Sequence, residues 1–114
     1  GGSYRLTPLY DVLTAQPSFE AGQVQRKQMK LSMSVGTNRH YRIDEIQRRH
    51  FVQTALAAGL SKAAIAMALE EVVDTAPKAL ETVENGLPND FPTAVSVSVT
   101  RGVKQRLDVL VAAP

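Results

Sequence analysis

The chain has 114 residues, of which 44% are apolar and 21% charged, and this balance is typical of one globular domain rather than of a disordered segment. No apolar run approaches the roughly 18 residues that cross a bilayer, so we expect no membrane partner. The absence of cysteine excludes disulfides and thiolate metal sites and fits a reducing, cytoplasmic compartment. The first residues include neither a methionine nor a signal-type apolar run. They therefore indicate a cloning remnant or an internal piece of a longer protein.

The net charge of +2 is unevenly distributed. Between residues 26 and 49 basic side chains outnumber acidic ones; this basic stretch contains Arg26, Lys27, Lys30, Arg39, Arg42, Arg48 and Arg49, against Asp44 and Glu45. Most acidic residues come later, at Glu70, Glu71, Asp74, Glu81 and Glu84. A basic segment of this kind can contact the phosphates of a nucleic acid, a nucleotide or a phosphoprotein. The alternative is a solvated surface with local ion pairs, and the charge pattern favours it.

The first 43 residues predict little regular structure. Residues 3–6 could form a short strand, and Thr7-Pro8 is a helix-start signal. Pro17 is expected to end this short helix, so that residues 17–38 form an irregular excursion. Within it, the alternating pattern of residues 30–35 predicts a strand, and residues 41–43 could pair back with it after a turn. This β flap would be mobile, and it could be either a lid or an ornament without function.

Beyond Asp44 the pattern becomes helical. A first helix is expected to end at Gly59, and Ser61 is expected to cap a second, long helix. Its inner stripe is expected to contain Ile65, Leu69, Val72 and Val73. Pro77 is expected to bend or break this helix because proline has no backbone donor.

The last segment is ambiguous between strand and helix. Residues 95–100 alternate in polarity, as in a strand, whereas an apolar stripe with a spacing of about four residues continues from Val95 to Leu110. Asp90 and Pro92 supply a helix-start signal, and strand alternation fails beyond Arg101. We therefore predict a helix.

Most residues that could carry chemistry have an ordinary structural explanation. No phosphate-binding glycine loop is present. His40 and His50 stand ten apart without a carboxylate at metal-ligand spacing, so we do not expect a zinc site. His50 is expected to pack or hydrogen-bond locally, and His40 to be solvent-exposed. The three methionines are expected to fill the core.

Asp11 is the exception, because its neighbours Leu9, Tyr10, Val12 and Leu13 are apolar or aromatic. A carboxylate in such surroundings is costly unless it is paired, caps a helix or binds a cation. Local reasoning alone favours a helix-start or surface aspartate. One carboxylate would nevertheless suffice as a partial ligand of Mg²⁺, since that ion is commonly held by one or two carboxylates together with nucleotide phosphates.

Three motifs in this order resemble the HipA-type toxin kinases. They are GGSYRLTPLYDVL at residues 1–13, KLSMSVG at residues 30–36 and PNDFP at residues 88–92. The first motif is the specific one, and the resemblance extends over nearly the whole chain. It implies that Asp11 is the DFG-type aspartate, which binds the Mg²⁺ that bridges the ATP phosphates. It also implies that the catalytic aspartate, the metal-binding asparagine and the glycine-rich loop lie upstream of Gly1.

The resemblance therefore implies a mainly α fold, a helical bundle that corresponds to the C-terminal lobe of a HipA-type kinase, with a short β flap near the N-terminus. We expect one domain over residues 1–114, divided into a metal-aspartate segment (1–16), an irregular flap (17–43) and a helical bundle (44–114). The full-length parent would be a cytoplasmic serine/threonine kinase that uses Mg²⁺ and ATP. This chain would hold no catalytic residue and would bind neither cofactor tightly.

The resemblance also implies partners. They are a protein substrate of the parent and a HipB-like antitoxin, through which the kinase would meet operator DNA. The isolated chain could also form a homo-oligomer, because a lobe cut from its neighbours exposes apolar surface. The alternative function is a free-standing helical interaction module that binds an antitoxin partner or nucleic acid.

Overall fold

The computed structural model describes residues 14–111. The elements in chain order are α1 (Gln16–Glu20), a 3₁₀ turn (Arg26–Gln28), β1 (Lys30–Val35), β2 (His40–Arg42), a second 3₁₀ turn (Ile43–Glu45), α2 (Arg48–Ala57), α3 (Lys62–Asn85) and α4 (Thr93–Val111). The prediction of a mainly α fold with a short β flap near the N-terminus is confirmed. Asp11, the strand expected at residues 3–6 and the helix start at Thr7 lie outside the described residues. Over residues 14–111, no helix combines the length and the apolar character that a bilayer crossing requires.

The β flap is an antiparallel pair of strands joined by a tight turn. Lys30 pairs with Arg42 and Val35 with His40, and the register is irregular between these two pairs. The turn between the strands contains two left-handed residues, Gly36 at φ +87° and Arg39 at φ +56°. The second strand begins one residue earlier than the sequence suggested, because His40 directly follows the turn and continues the pairing.

The junction between α2 and α3 has the caps that the sequence predicts. Gly59 has φ +93°, and the amides of Gly59 and Leu60 donate to the carbonyls of Leu56 and Ala55, which is a Schellman motif. The Ser61 hydroxyl accepts a hydrogen bond from the Ala64 amide at 3.1 Å and so caps α3. The two helices are therefore separated cleanly by local chemistry alone.

The structure corrects two expectations about proline. Residues 17–20 are helical, because Pro17 lies in the first turn of α1, where its missing N–H is not needed. The Thr14 hydroxyl accepts from the Gln16 amide at 3.2 Å at the start of this helix. Pro77 does not break α3, which continues through it to Asn85.

The helix predicted for the last segment is confirmed by α4. Its first turn follows Pro92, whose carbonyl accepts hydrogen bonds from the amides of Val95 and Ser96. Helix α4 packs against α1, α2 and α3, so it connects the N-terminal part of the described chain with the long helix. Its stripe residues Val99, Val103, Leu107 and Leu110 are half-buried along this contact.

The core of the described region is small. Its buried apolar residues are Val35, Ile46 and Ile65. The expectation that the methionines fill the core was wrong for Met33 and Met67, which are 80% and 71% exposed. Among the residues of the inner stripe expected in α3, Val72 is exposed, because the partners of this helix cover only part of its apolar surface.

Candidate functional site

A cleft lies where α1, the two 3₁₀ turns and α4 meet. It consists of two adjoining cavities of about 300 Å³ and 310 Å³ that share part of their lining. We call the first its polar end and the second its apolar end. Gln16, Met29, Ile43, Gly102 and Arg106 line both of them. Cavities of this size with apolar walls and a few convergent polar groups are the usual form of a small-ligand site.

The polar end is lined by two arginines from distant parts of the chain. Arg26 belongs to the first 3₁₀ turn, and its guanidinium carbon lies 6.0 Å from the centre of the Phe19 ring. Arg106 belongs to α4, and its guanidinium donates a hydrogen bond to the Ile43 carbonyl. Neither arginine has a carboxylate within ion-pair distance among residues 14–111.

The carboxylate at this end, Asp44, is already neutralised. Arg42 donates to both of its oxygens, at 3.1 and 2.7 Å. This hydrogen bonding holds the pKa of Asp44 below its ordinary value, and the charges of Arg42 and Arg26 act in the same direction. With Asp44 paired to Arg42, the polar end carries an excess of positive charge.

At the apolar end of the cleft, α1 and α4 approach each other closely. A Cβ on Gly102 would lie 2.7 Å from the Gln16 side chain, so glycine at this position leaves room for α1. Glu20 and Arg101 form an ion pair at 3.1 Å between the same two helices. The pKa of Glu20 is lowered, chiefly by the neighbouring Ser98 hydroxyl. These contacts fix α1, and with it Thr14 at the rim of the apolar end, three residues after Asp11 in the sequence.

The turn of the β flap is attached to α2. The Gly36 amide donates to the Thr54 hydroxyl at 2.7 Å, and the Thr37 amide donates to the Gln53 side-chain oxygen at 2.9 Å. Val35, immediately before the turn, is buried. The tip of a mobile lid would make no hydrogen bond to the helices, whereas this turn is held to α2 by two hydrogen bonds. These contacts argue against a lid that opens at the turn.

The two histidines lie against each other at the junction of the flap and α2. Their ring centroids are 3.9 Å apart with an interplanar angle of 25°. His50 is 3% exposed, and its Nδ1 accepts from the Gln47 amide at 2.9 Å, which confirms the expectation of local packing. The expectation that His40 is solvent-exposed was wrong, because its ring covers that of His50 and its Nδ1 lies 3.9 Å from Glu45.

The buried histidine predicts a pH dependence of stability. Burial lowers the pKa of His50 below its ordinary value of 6.5, and the neighbouring His40 and Arg49 lower it further. The unfolded chain therefore binds the proton first as pH falls. The contribution of neutral His50 to the free energy of unfolding is present above pH 6.5. It is lost as pH falls through the pKa of His50 in the folded state.

His50→Asn is the matched control for this prediction, because its side-chain oxygen can replace Nδ1 as an acceptor but does not titrate. Urea denaturation of both proteins is measured between pH 7.5 and pH 5. We expect the unsubstituted chain to lose stability as pH falls, and the variant to lose less. Identical pH profiles would contradict the assignment. Asp44 and Glu20 have lowered carboxylate pKa values, and their own loss of stability occurs at lower pH.

The basic stretch is only partly satisfied by local ion pairs. Arg42 is paired with Asp44 and Glu45, and Arg48 donates to the Leu110 carbonyl at 2.7 Å. Within the described part of the chain, its other cations have no carboxylate within ion-pair distance; these are Arg26, Lys27, Lys30, Arg39 and Arg49. Ion pairs among residues 14–111 therefore account for Arg42 but not for most of the basic stretch.

Comparison with known families identifies the chain. The model of the HipA-like C-terminal domain matches residues 1–80, which is more than half of its length. The chain belongs to the HipA-like C-terminal domain family. The match contains the Asp11 segment, the β flap, α2 and α3 as far as Leu80. Helix α4 lies beyond it, so the cleft is formed by matched elements on one side and by α4 on the other.

The HipA-like domain does not assemble a metal centre from its described residues. Over residues 14–111, no group of three histidine, aspartate or glutamate side chains is close enough to share an ion. Asp11, the predicted metal ligand, lies outside this range. Sequence reasoning missed Arg106 and the cleft, because the contact of Arg106 with Ile43 joins residues 63 positions apart. No local pattern could have indicated that contact.

Proposed function

We propose that this HipA-like domain is part of the helical lobe of a cytoplasmic serine/threonine kinase that transfers the γ-phosphate of ATP to a protein substrate. The observation that carries the proposal is the family match, which begins at Gly1 and includes the whole Asp11 motif. The chain alone is inactive in this proposal, because it has neither a nucleotide-binding glycine loop nor a catalytic aspartate in a kinase loop motif.

Asp11 would act as a ligand of Mg²⁺ in the parent kinase. The ion accepts one or two carboxylates together with phosphate oxygens and water, so a chain that supplies a single carboxylate fits as one part of its site. When bound, Mg²⁺ neutralises the charge that develops on the transferred phosphoryl group. The attachment of α1 to α4 supports this role, because it fixes the chain three residues beyond Asp11.

The partners that we propose are a HipB-like antitoxin and, through it, operator DNA. The cations of the basic stretch that have no carboxylate partner support a contact with phosphates. The flap that carries several of them is attached to α2, so these charges are presented by a fixed surface.

Exposed apolar side chains support a further packing partner. Met67, Val72 and Val83 on α3 are 71%, 46% and 60% exposed, and Leu60 just before this helix is 54% exposed. Exposed apolar side chains on one helix are candidates for contact with another protein surface. In the parent we propose that the rest of the kinase covers it, and in the isolated chain a second copy.

Calorimetric titration of the parent with ATP in the presence and absence of Mg²⁺ tests the proposal. We expect Mg²⁺-dependent nucleotide binding by the parent and no measurable binding by residues 1–114 alone. A parent that binds ATP equally well without Mg²⁺, or not at all, would contradict the kinase assignment.

The alternative is a free-standing interaction module for nucleic acid, and it is favoured by the cations of the basic stretch that have no carboxylate partner among residues 14–111. It predicts that the isolated chain binds duplex DNA with an affinity that falls steeply with salt concentration, since bound cations release counterions from the phosphates. Absence of such binding would exclude it.

A further inference from the structure

We propose that the polar end of the cleft binds the phosphate group of a phosphate monoester between Arg26 and Arg106. The inference goes beyond the proposed kinase function, because the site uses α4, which lies outside the family match, and because its two arginines are distinct from the proposed metal ligand Asp11. It assigns to this domain a ligand site of its own.

The first argument is charge. Both guanidiniums line the same cavity of about 300 Å³, and neither has an acidic partner among residues 14–111. The acidic residue in the lining, Asp44, is occupied by Arg42 at 3.1 and 2.7 Å. Two arginines without a carboxylate partner in the described part of the chain, beside an aspartate paired with Arg42, leave an electropositive cavity that an anion would stabilise.

The second argument is the positioning of the two arginines. Arg106 is held by its hydrogen bond to the Ile43 carbonyl, and Arg26 lies near the face of the Phe19 ring. Each guanidinium has five N–H donors, so donors remain for a ligand after these contacts. A side chain that is already oriented loses less conformational freedom when it binds.

The third argument concerns the class of ligand. Gln16 and Gln105 add amide donors to the lining, while Phe19 and Met29 supply apolar wall. A phosphate monoester has several strong acceptor oxygens and close to two negative charges at neutral pH, which matches two arginines and two amides. A carboxylate has one negative charge and would neutralise only one of the two guanidiniums.

Phosphate titration of the intact chain tests the site. Binding of inorganic phosphate to residues 1–114 is measured by calorimetry at low ionic strength, with chloride as the reference anion. We expect saturable binding of phosphate, with Arg26→Gln and Arg106→Gln each weakening it by about tenfold or more, as is typical when a charged hydrogen bond is lost. O-phosphoserine and AMP are then compared, because they distinguish a phosphorylated side chain from a nucleotide as the source of the phosphate.

Arg39→Gln is the matched control, because it removes the same charge from the same basic stretch at a residue that does not line the cleft. It is expected to change the affinity by less than about twofold. Should Arg106→Gln unfold, which circular dichroism would show, Arg26→Gln alone decides. An equal loss in Arg39→Gln, or phosphate binding no tighter than chloride, would overturn the proposal. The test involves neither Mg²⁺ nor phosphoryl transfer, so its failure is separate from failure of the kinase assignment.

Discussion

Replacement of Asp11 by alanine in the full-length parent is expected to lower the rate of phosphoryl transfer by about 1,000-fold or more and to leave the fold intact. The reason is electrostatic, since catalysis of this reaction depends on positioning the nucleotide and on neutralising its phosphate charge through the metal ion. Without the carboxylate, Mg²⁺ would lose a protein ligand that fixes it against the phosphates. The measurement is the initial rate of ³²P transfer from ATP at saturating Mg²⁺.

Asp44→Ala provides the matched control for this substitution. It removes a carboxylate of the same kind from the same chain. Asp44 is paired with Arg42 and is not proposed as a ligand of the metal. The rate of phosphoryl transfer by the Asp44→Ala kinase is expected to stay within a few-fold of that of the unsubstituted kinase. An Asp11→Ala protein with a normal rate would refute the assignment, and thermal denaturation of both variants would separate loss of activity from loss of fold.

Gly36→Ala is expected to destabilise the chain by about 2–4 kcal/mol. Gly36 has φ +87°, a conformation that costs a residue with a Cβ roughly 1–2 kcal/mol. The new Cβ would also lie 3.0 Å from the Gln53 side-chain oxygen and 3.1 Å from the Cβ of His50. Relief of these contacts would move the turn away from α2 and weaken the hydrogen bond from Gly36 to Thr54.

Gly59→Ala separates the two causes. Gly59 has a similar φ of +93°, but a Cβ there would have no atom within 4 Å. This variant is therefore expected to lose only the backbone contribution, roughly 1–2 kcal/mol. The midpoints of urea denaturation of the two variants are compared with that of the unsubstituted chain. Equal losses in the two variants would show that the flap turn is not packed tightly against α2.

The elements that the sequence predicted correctly are those defined by local chemistry. Gly59 and Ser61 mark the α2–α3 junction through their own backbone and hydroxyl, and the alternation of residues 30–35 predicts β1. The long apolar periodicity decided between strand and helix for α4. The effect of proline was predicted less well, because Pro17 lies in the first turn of α1 and α3 continues through Pro77 to Asn85.

The cleft could not have been predicted, because it depends on packing between segments far apart in the chain. Arg26 and Arg106 line the polar end of the cleft from positions 80 residues apart. The close approach of α1 to α4 depends on the absence of a side chain at Gly102. The sequence showed a basic stretch but not which of its charges would be neutralised. Asp11 remains a prediction, supported by its motif and by the family match.

Metal preference of an Asp11→Cys variant in the parent kinase is the most direct test of whether Asp11 binds Mg²⁺. A thiolate is a poor ligand for Mg²⁺ and a good one for thiophilic ions such as Cd²⁺, so a changed ligand should change the preferred metal. We expect the variant to lose phosphoryl transfer with Mg²⁺ and to regain part of it when Cd²⁺ is added, whereas the unsubstituted kinase does not benefit from Cd²⁺. A variant that transfers phosphate with Mg²⁺ as fast as the unsubstituted kinase would show that Asp11 does not bind the metal.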